Sequence, residues 1–320
     1  MRYAACHRRA TAREVGAMFA MLGHASRGIE APVNEGTMTT AVEPAHQTAT
    51  MNGLLLHYVE YPSPRVSAPV MLFLHGLTSV WGSWRRVAEH FAADYHVYLL
   101  EQRGHGDSEW APADRYRTED YLADLEVFVD QMGFQRLILV GQSMGGHHTI
   151  AYTAKHPDRI ISALANDIPP ALNLDVPDRL ANQEKQYPGG KHRVFATPAE
   201  WTETRRPTAP LTPEWAHALM EREALKQVPG GWSPKHDPNA PMHWQPADLW
   251  DAARTITRPI FFIRGGRSQV LSAQALQDMD MAIPTARSVT LEKAGHSTYH
   301  DMEREWITIA SAFFAAHASA

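Results

Sequence analysis

The stretch Gly141-Gln-Ser-Met-Gly-Gly146 follows the apolar run Leu137-Ile-Leu-Val140 and precedes a segment with helical spacing. A structural turn between a strand and a helix needs one or two glycines, and it has no use for a hydroxyl at its apex. The pattern Gly-x-Ser-x-Gly in this setting is typical of a serine nucleophile held on a sharp, strained turn. We therefore expect Ser143 to be a nucleophile, with a tight structural turn as the alternative.

The elements around this turn alternate between strands and helices. Apolar runs predict strands at residues 54–61, 70–74, 96–100, 136–140, 160–166, 259–264 and 287–291, and helical spacing predicts helices at 84–93, 118–132, 144–156, 272–282 and 301–317. We expect Thr118 to cap the second of these helices. Strands that are apolar throughout and separated by helices indicate a mostly parallel sheet covered on both faces. The predicted fold class is therefore α/β, with a mostly parallel central sheet flanked by helices.

The alternation stops between Ile168 and Trp250, a segment that holds 13 of the 22 prolines and 5 of the 9 tryptophans. A structureless loop of this length inside a compact domain is improbable. Thr197-Pro198 and Thr212-Pro213 each favour the start of a helix with proline in its first position, the second helix running to Val228. We predict a helical lid over residues 168–250, inserted into a core formed by residues 51–167 and 251–320.

The first fifty residues differ from the rest. Arginines precede a short apolar stretch at residues 15–22, and residues 31–50 are rich in Thr, Ala and Pro without periodicity. We interpret residues 1–50 as a disordered or dispensable leader, or as the result of a start placed upstream of Met38 or Met51. The location expected by default is cytoplasmic.

Composition excludes several classes of function. The net charge of -5 and the pI near 6.4 give no electrostatic footprint for nucleic acid or an anionic membrane. The single cysteine, Cys6, excludes a thiolate zinc site, and the eighteen histidines are scattered without a His-Glu-x-x-His pattern. We therefore predict neither a metal nor a cofactor.

Polar residues that follow predicted strands are the candidates for chemistry, because ligands of an open parallel sheet bind at the carboxyl ends of its strands. A serine hydroxyl needs a base to take its proton. His296, in Lys293-Ala-Gly-His-Ser297, follows the last strand, and its ordinary pKa near ~6.5 suits proton transfer at neutral pH. A surface histidine is the alternative, and His300 is set aside because it falls at a helix start.

From residue 51 onward the chain resembles the α/β-hydrolase fold superfamily. The residues that carry the resemblance are His75-Gly76-Leu77, Gln102-Arg-Gly-His-Gly-Asp-Ser108, Gly141-Gln-Ser-Met-Gly-Gly146, His156-Pro-Asp-Arg-Ile160 and Gly295-His296. The resemblance implies a Ser–His–acid triad, and an oxyanion hole made by two backbone N–H groups. The motif positions assign those groups to Leu77 and Met144.

The acid of the triad departs from the commonest pattern of that family, which places it soon after the strand that follows the lid. Here that stretch is Arg264-Gly-Gly-Arg-Ser-Gln-Val-Leu271, which carries Arg267 and no carboxylate. The chain is similar to a branch of esterases and lactonases that places the acid after the strand preceding the lid, which is strand 6 of that fold, in a stretch resembling Asp-Ile-x-Pro. Asp167, in Asn166-Asp-Ile-Pro-Pro170, is therefore the predicted acid; alternatively it caps the lid and another carboxylate serves.

The predicted activity is a cofactor-free serine hydrolase that acts on a small-molecule carboxylic ester or lactone. Trp81, Trp201 and Trp215 are predicted to contact the substrate. Hydrolysis of a carbon–carbon bond in a ring-cleavage product, acyl transfer from an amide, thioester or peroxy acid, and a ligand receptor on the same fold are the alternatives. The oligomeric state stays open, a homodimer included.

Overall fold

A computed structural model describes residues 43–65, 67–172 and 185–317. The strands are β1 (Ala45–Met51), β2 (Leu54–Tyr61), β3 (Val70–Leu74), β4 (His96–Leu100), β5 (Leu137–Gln142), β6 (Ile160–Asn166), β7 (Leu225–Val228), β8 (Gly231–Pro234), β9 (Ile260–Gly265) and β10 (Ala286–Leu291). The helices are α1 (Arg85–Phe91), α2 (Thr118–Gln131), α3 (Met144–Lys155), α4 (Pro198–Arg205), α5 (Glu214–Ala224), α6 (Asn239–His243), α7 (Trp250–Arg254), α8 (Ala273–Ala282), α9 (Thr298–Asp301) and α10 (Glu303–His317). Short 3-10 helices lie at Trp81–Trp84, Pro157–Arg159, Pro188–Gly190 and Arg206–Thr208.

Eight strands form one sheet in the order β1-β2-β4-β3-β5-β6-β9-β10. The pairs from β4 to β10 are parallel, whereas β1–β2 and β2–β4 are antiparallel. The predicted α/β class with a mostly parallel sheet is confirmed. Strand order reverses direction around β3 and β5, and the carboxyl ends of these central strands are where an open sheet binds its ligand.

The sheet is buried on both faces, which explains why its central strands are apolar along their whole length. All six residues of β5 and all seven of β6 are buried. One face packs against α2, α3 and α8 through a cluster that includes Phe128, Ile150 and Met279. The other packs against α1 and α10 through Trp84, Trp306 and Phe314. The carboxyl ends of the strands are thereby held in fixed register.

The segment between β6 and β9 holds helices and a hairpin, and its residues 185–254 are called the insert. Thr197 caps α4 by accepting the N–H of Glu200, with Pro198 in the first turn, as predicted. The predicted second helix is wrong at both ends. Pro213 is the N-cap residue rather than the first helical one, and the helix stops at Ala224. The next four residues instead pair with Gly231–Pro234 as the antiparallel hairpin β7–β8.

Two further expectations need correction. Residues 45–50 of the predicted leader belong to β1, which pairs along its whole length with β2. This strand was missed because its side chains are mostly exposed and show no apolar alternation. The rest of the predicted leader, residues 1–42, lies outside the described residues. The N-cap of α2 is Arg117 rather than Thr118, whose hydroxyl instead accepts the N–H of Ala247 in the insert at 3.0 Å.

No helix within the described ranges is both long enough and apolar enough to cross a membrane.

Candidate active site

Ser143 lies on a strained turn between β5 and α3. Its backbone angles are φ 52° and ψ -118°, outside the regions that residues with a side chain usually adopt. The turn is closely packed: a Cβ on Gly141 would lie 2.2 Å from the carbonyl oxygen of Gly145, and one on Gly145 would lie 2.3 Å from that of Leu74. The N–H of Ser143 donates to the carbonyl of Asn166 at 2.9 Å. The glycines flanking Ser143 are therefore a packing requirement of this turn.

Asn166, the last residue of β6, connects this turn to the C-terminal helices. Its side-chain oxygen accepts hydrogen bonds from the Thr298 hydroxyl of α9 and, at 3.0 Å, from the Trp306 indole N–H of α10. The side chain is fully buried. The position of Ser143 is thus coupled to the helices that follow the His296 loop.

Asp167 and His296 meet at the carboxyl edge of the sheet. The His296 Nδ1 and Asp167 Oδ2 atoms are 2.6 Å apart, a hydrogen bond in which the imidazole N–H donates. Asp167 is completely buried and also has a positive φ of 50°. Its other oxygen accepts the N–H of Gly265 at 2.9 Å. Fixing Nδ1 as the donor leaves Nε2 of His296 free to accept a proton.

Ser268 is a third donor to Asp167, which the sequence did not reveal. Its hydroxyl donates to Oδ2 of Asp167, and it comes from the loop after β9, where the family usually carries the acid itself. Arg267, the neighbouring residue, is exposed. Three donors hold the carboxylate of Asp167 in the orientation in which it accepts the His296 N–H. The sequence signal for this role is a hydroxyl next to Arg267, near which the resemblance would place the acid.

The loop after β3 is fixed by His75. Its Nδ1–H donates to the carbonyl of Gly76 at 2.8 Å, and its Nε2 accepts the N–H of Gln102 at 3.0 Å. Burial lowers the pKa of His75 to about 3, so the ring stays neutral in both hydrogen bonds. Gly76 has no room for a side chain, because a Cβ there would lie 2.1 Å from Oε1 of Gln142.

This loop places Leu77 in the wall of the cavity that Ser143 also lines. Met144 is the first residue of α3 and is fully buried. Neither the Leu77 N–H nor the Met144 N–H has a hydrogen-bond acceptor in the described part of the chain. Two free N–H groups beside a serine are the arrangement that an oxyanion hole requires.

A cavity of about 130 Å³ lies between the Ser143 turn and the insert. Ser143 and His296 line it from the core, and Trp201, Arg205 and His217 line it from the insert. The Gln142 side-chain amide, at the same wall, donates to the carbonyl of His296 at 3.3 Å. The structure therefore brings the predicted nucleophile, base and acid together beside one small cavity.

Of the three tryptophans predicted to contact the substrate, only Trp201 lines this cavity. Trp81 is 2% exposed and packs in the core, where its backbone N–H donates to the buried carboxylate of Glu101 at 3.1 Å. Trp215 lies under the guanidinium of Arg86 at 4.3 Å. Trp215 also contacts the ring of His300, a residue that lines the cavity, at 5.4 Å between the ring centroids. Trp81 and Trp215 themselves do not line it, and contact of any of the three tryptophans with a substrate stays a prediction.

One cluster of described residues has the composition of a metal site. His57, Glu101 and Asp107 place their ligand atoms within 4.8 Å of one another. The Glu101 carboxylate already accepts the backbone N–H groups of Trp81 and Asp107, and Asp107 pairs with Lys235 at 2.8 Å. These contacts join the turn after β4 to the loop after β3 and to the insert. None of the three clustered residues lines the cavity. The cluster is therefore structural.

Comparisons with known proteins agree with the fold described above. A family model of the α/β hydrolase fold matches residues 69–302. The chain is 28% identical over 233 residues to 2-(acetamidomethylene)succinate hydrolase of Mesorhizobium japonicum, which covers 72% of this chain and 82% of that protein. It is 32% identical over 120 residues to epoxide hydrolase 4 of Mus musculus, which covers 37% of this chain and 33% of the relative.

A crystal structure of E-2-(acetamidomethylene)succinate hydrolase superimposes with a TM-score of 0.76 at 24% identity, covering 85% of this chain and 99% of the other. The similarity in structure thus covers far more of the chain than the 37% that aligns with the epoxide hydrolase.

Proposed function

This chain belongs to the α/β-hydrolase fold family, and from that premise we propose that it is a serine hydrolase that cleaves a carboxylic ester or lactone through an acyl-enzyme on Ser143. The observation that carries the proposal is the 2.6 Å hydrogen bond between His296 and the buried Asp167, at the rim of the cavity that Ser143 lines. A base oriented by a buried carboxylate beside a serine on a strained turn is the arrangement that activates a hydroxyl.

In the proposed reaction Nε2 of His296 takes the proton of the Ser143 hydroxyl as its oxygen attacks the acyl carbon. The negative charge that develops on the carbonyl oxygen is stabilised by the Leu77 and Met144 N–H groups. Asp167 keeps its charge and stabilises the protonated imidazole. When the tetrahedral intermediate collapses, His296 returns the proton to the leaving alcohol. Water, deprotonated by His296, then cleaves the acyl-enzyme and releases the acid.

The choice of nucleophile argues against the chemistry named for the epoxide hydrolases. An alkyl-enzyme formed on a carboxylate needs an aspartate at the position that Ser143 occupies, and Ser143 offers only a hydroxyl. Hydrolysis of a carbon–carbon bond uses the same triad type and is the nearest alternative. The acid of those enzymes usually follows the strand after the lid, whereas here it follows β6. This position favours the ester or lactone reading.

The test is a pre-steady-state assay with p-nitrophenyl acetate. Wild-type protein is expected to release a burst of nitrophenolate equal to the enzyme concentration, and Ser143→Ala is expected to show none. Ser79→Ala is the matched control, because Ser79 presents a second serine to the same cavity without a histidine–carboxylate pair beside it. Mass spectrometry of the quenched burst should place one acetyl group on the peptide that contains Ser143.

A burst that persists in Ser143→Ala would show that Ser143 is not the nucleophile. If the wild type hydrolysed neither p-nitrophenyl acetate nor any member of a panel of esters and lactones, the result would favour the alternative that the protein is a ligand receptor.

A further inference from the structure

Arg205 lies in the wall of the cavity, and no described residue is its counter-ion. It is the last residue of α4, one turn after Trp201, so that both side chains share one face of the helix. Its guanidinium carbon lies 4.8 Å from the centre of the Trp201 ring. Within the described ranges, the guanidinium makes neither an ion pair nor a hydrogen bond.

Two other arginines on the insert, Arg193 and Arg206, do pair with carboxylates. Arg206 pairs with Glu214 at 2.6 Å and with Glu203 at 2.7 Å, and Arg193 pairs with Glu200. No Asp or Glu is among the described residues that line the cavity, in a chain with more acidic than basic residues. The cavity is therefore locally cationic in a protein with a net negative charge.

A guanidinium keeps its charge at every physiological pH, so burial cannot neutralise it. Burial lowers the pKa of Arg205 from its ordinary value, and the phenol of Tyr187, rather than a carboxylate, acts in the opposite direction. Arg205 is half-buried, and a charge withdrawn from water is normally paired, because leaving it unpaired costs free energy. The stacking of Arg205 on Trp201 offsets only part of this cost.

We propose that Arg205 binds a carboxylate of the substrate, so that the substrate is a small ester or lactone that also carries a carboxylate group. This inference rests on the proposed function and adds the chemical class of the substrate to it. The forked N–H groups of arginine match the two oxygens of a carboxylate. His217, whose ring also makes no hydrogen bond in the part of the chain that the structure describes, lines the same cavity and supplies a second donor.

The size of the cavity limits the distance between the two ends of the substrate. Its volume of about 130 Å³ is well below the roughly 300–1,000 Å³ of pockets that hold drug-sized ligands. Arg205 and Ser143 line this one cavity, so the carboxylate and the reacting carbonyl are separated by a short chain.

The experiment compares half-esters with neutral esters of the same length by titrating released acid at constant pH. Monomethyl succinate, glutarate and adipate are paired with methyl butyrate, valerate and hexanoate, in which a methyl group replaces the carboxylate. We expect the wild type to prefer at least one half-ester. Arg205→Gln should lower kcat/KM for that half-ester by about 10- to 100-fold, while its neutral partner changes by less than about threefold.

Arg206→Gln is the control, because Arg206 is paired with two carboxylates and does not line the cavity. It should leave kcat/KM for both esters unchanged. Circular dichroism verifies that each variant is folded, and Arg205→Lys replaces Arg205→Gln if the latter is not. The lysine retains the charge and should keep part of the preference.

Calorimetry with succinate, glutarate and adipate separates this proposal from the proposed function, because binding needs no catalysis. These titrations use Ser143→Ala with and without Arg205→Gln. Binding that depends on Arg205, in a protein whose wild type hydrolyses no ester, would support the anion site and contradict the hydrolase. Hydrolysis that depends on Ser143, with no preference for a half-ester and no Arg205-dependent binding of a dicarboxylate, would overturn the anion site alone. Binding of inorganic phosphate in preference to every dicarboxylate would also overturn it.

Discussion

Acidification from pH 7.5 to 5.5 is expected to destabilise the fold steeply, because several imidazoles are buried in their neutral form. Burial lowers the pKa of His75 to about 3 and those of His105, His147 and His300 to about 4. Three of these rings use a nitrogen in a hydrogen bond to a backbone carbonyl: His75 to Gly76, His105 to Arg103 at 2.9 Å, and His300 to Ser83 at 2.8 Å. Protonating any of them places a charge where little or no water reaches.

The sign follows from proton binding. Below a pH of about 6.5 the unfolded chain protonates these histidines, whereas the folded chain keeps them neutral down to about 4. The unfolded state therefore binds more protons in this window, and the free energy of unfolding falls as the pH falls. Each group loses about 1.4 kcal/mol between pH 7.5 and 5.5, or about 5 kcal/mol for the four. Typical domains have only about 5–15 kcal/mol to lose.

Asp301 acts in the opposite direction. Burial raises the pKa of its carboxyl, so that the folded chain binds this proton more readily than the unfolded chain does. Its contribution to stability is lost as the pH rises, and protonation on acidification offsets part of the histidine effect. The net slope above pH 5.5 is nevertheless set by the more numerous histidines.

The measurement is urea unfolding followed by circular dichroism at pH 7.5, 6.5 and 5.5 and constant ionic strength. Because each such group loses about 1.4 kcal/mol over this interval, His105→Gln should reduce the fall in unfolding free energy between pH 7.5 and 5.5 by about 1.4 kcal/mol, whatever its effect on absolute stability. A free energy of unfolding that stays level from pH 7.5 to 5.5 would refute the reasoning. It would mean that the folded protein accommodates the protonated rings.

Three further predictions concern the site and its turn. Asp167→Asn should fold but lose about 10⁴-fold in kcat/KM for p-nitrophenyl acetate, because His296 loses the partner that fixes its tautomer; activity within tenfold of the wild type would indicate another acid. Ser268→Ala should lower kcat by about tenfold, since Asp167 loses one of its three donors; a lower thermal stability with an unchanged kcat would indicate a merely structural role. Gly145→Ala should cost about 3 kcal/mol in urea unfolding because its Cβ would meet the Leu74 carbonyl, whereas Gly133→Ala, at a positive φ in open space, should cost about 1 kcal/mol; equal losses would contradict the packing argument.

Much of the sheet could be predicted because its strands are buried on both faces. The bounds of β2, β3, β4 and β6 agree with the apolar runs residue by residue. β1 could not be predicted, because an exposed edge strand carries no apolar signal. The hairpin β7–β8 was missed because Pro229 and Gly230 stand in a segment already rich in proline, where they do not distinguish a hairpin turn from a helix end.

The positions of Ser143, Asp167 and His296 could be predicted because Ser143 and Asp167 directly follow β5 and β6, and His296 lies in the loop after β10. The carboxyl ends of parallel strands lie at one edge of the sheet. The residues that were missed act through three-dimensional proximity alone. Ser268 reaches Asp167 from a loop 101 positions away, and Arg205 is one of five arginines on the insert. Only the fold shows that the other four pair with carboxylates and that Arg205 has no carboxylate partner among the described residues.

The proposed nucleophile and acid follow the two strands of one β-α-β unit, β5-α3-β6, whereas the proposed base lies beyond the insert in the chain. A chain cut within the insert would leave Ser143 and Asp167 on one fragment and His296 on the other. The two fragments must restore the β6–β9 pairing, including the hydrogen bond from the Asp167 N–H to the Ile263 carbonyl at 2.8 Å, before the triad exists. Ester hydrolysis by the mixed fragments would then serve as a complementation signal for the joining of the two halves of the sheet.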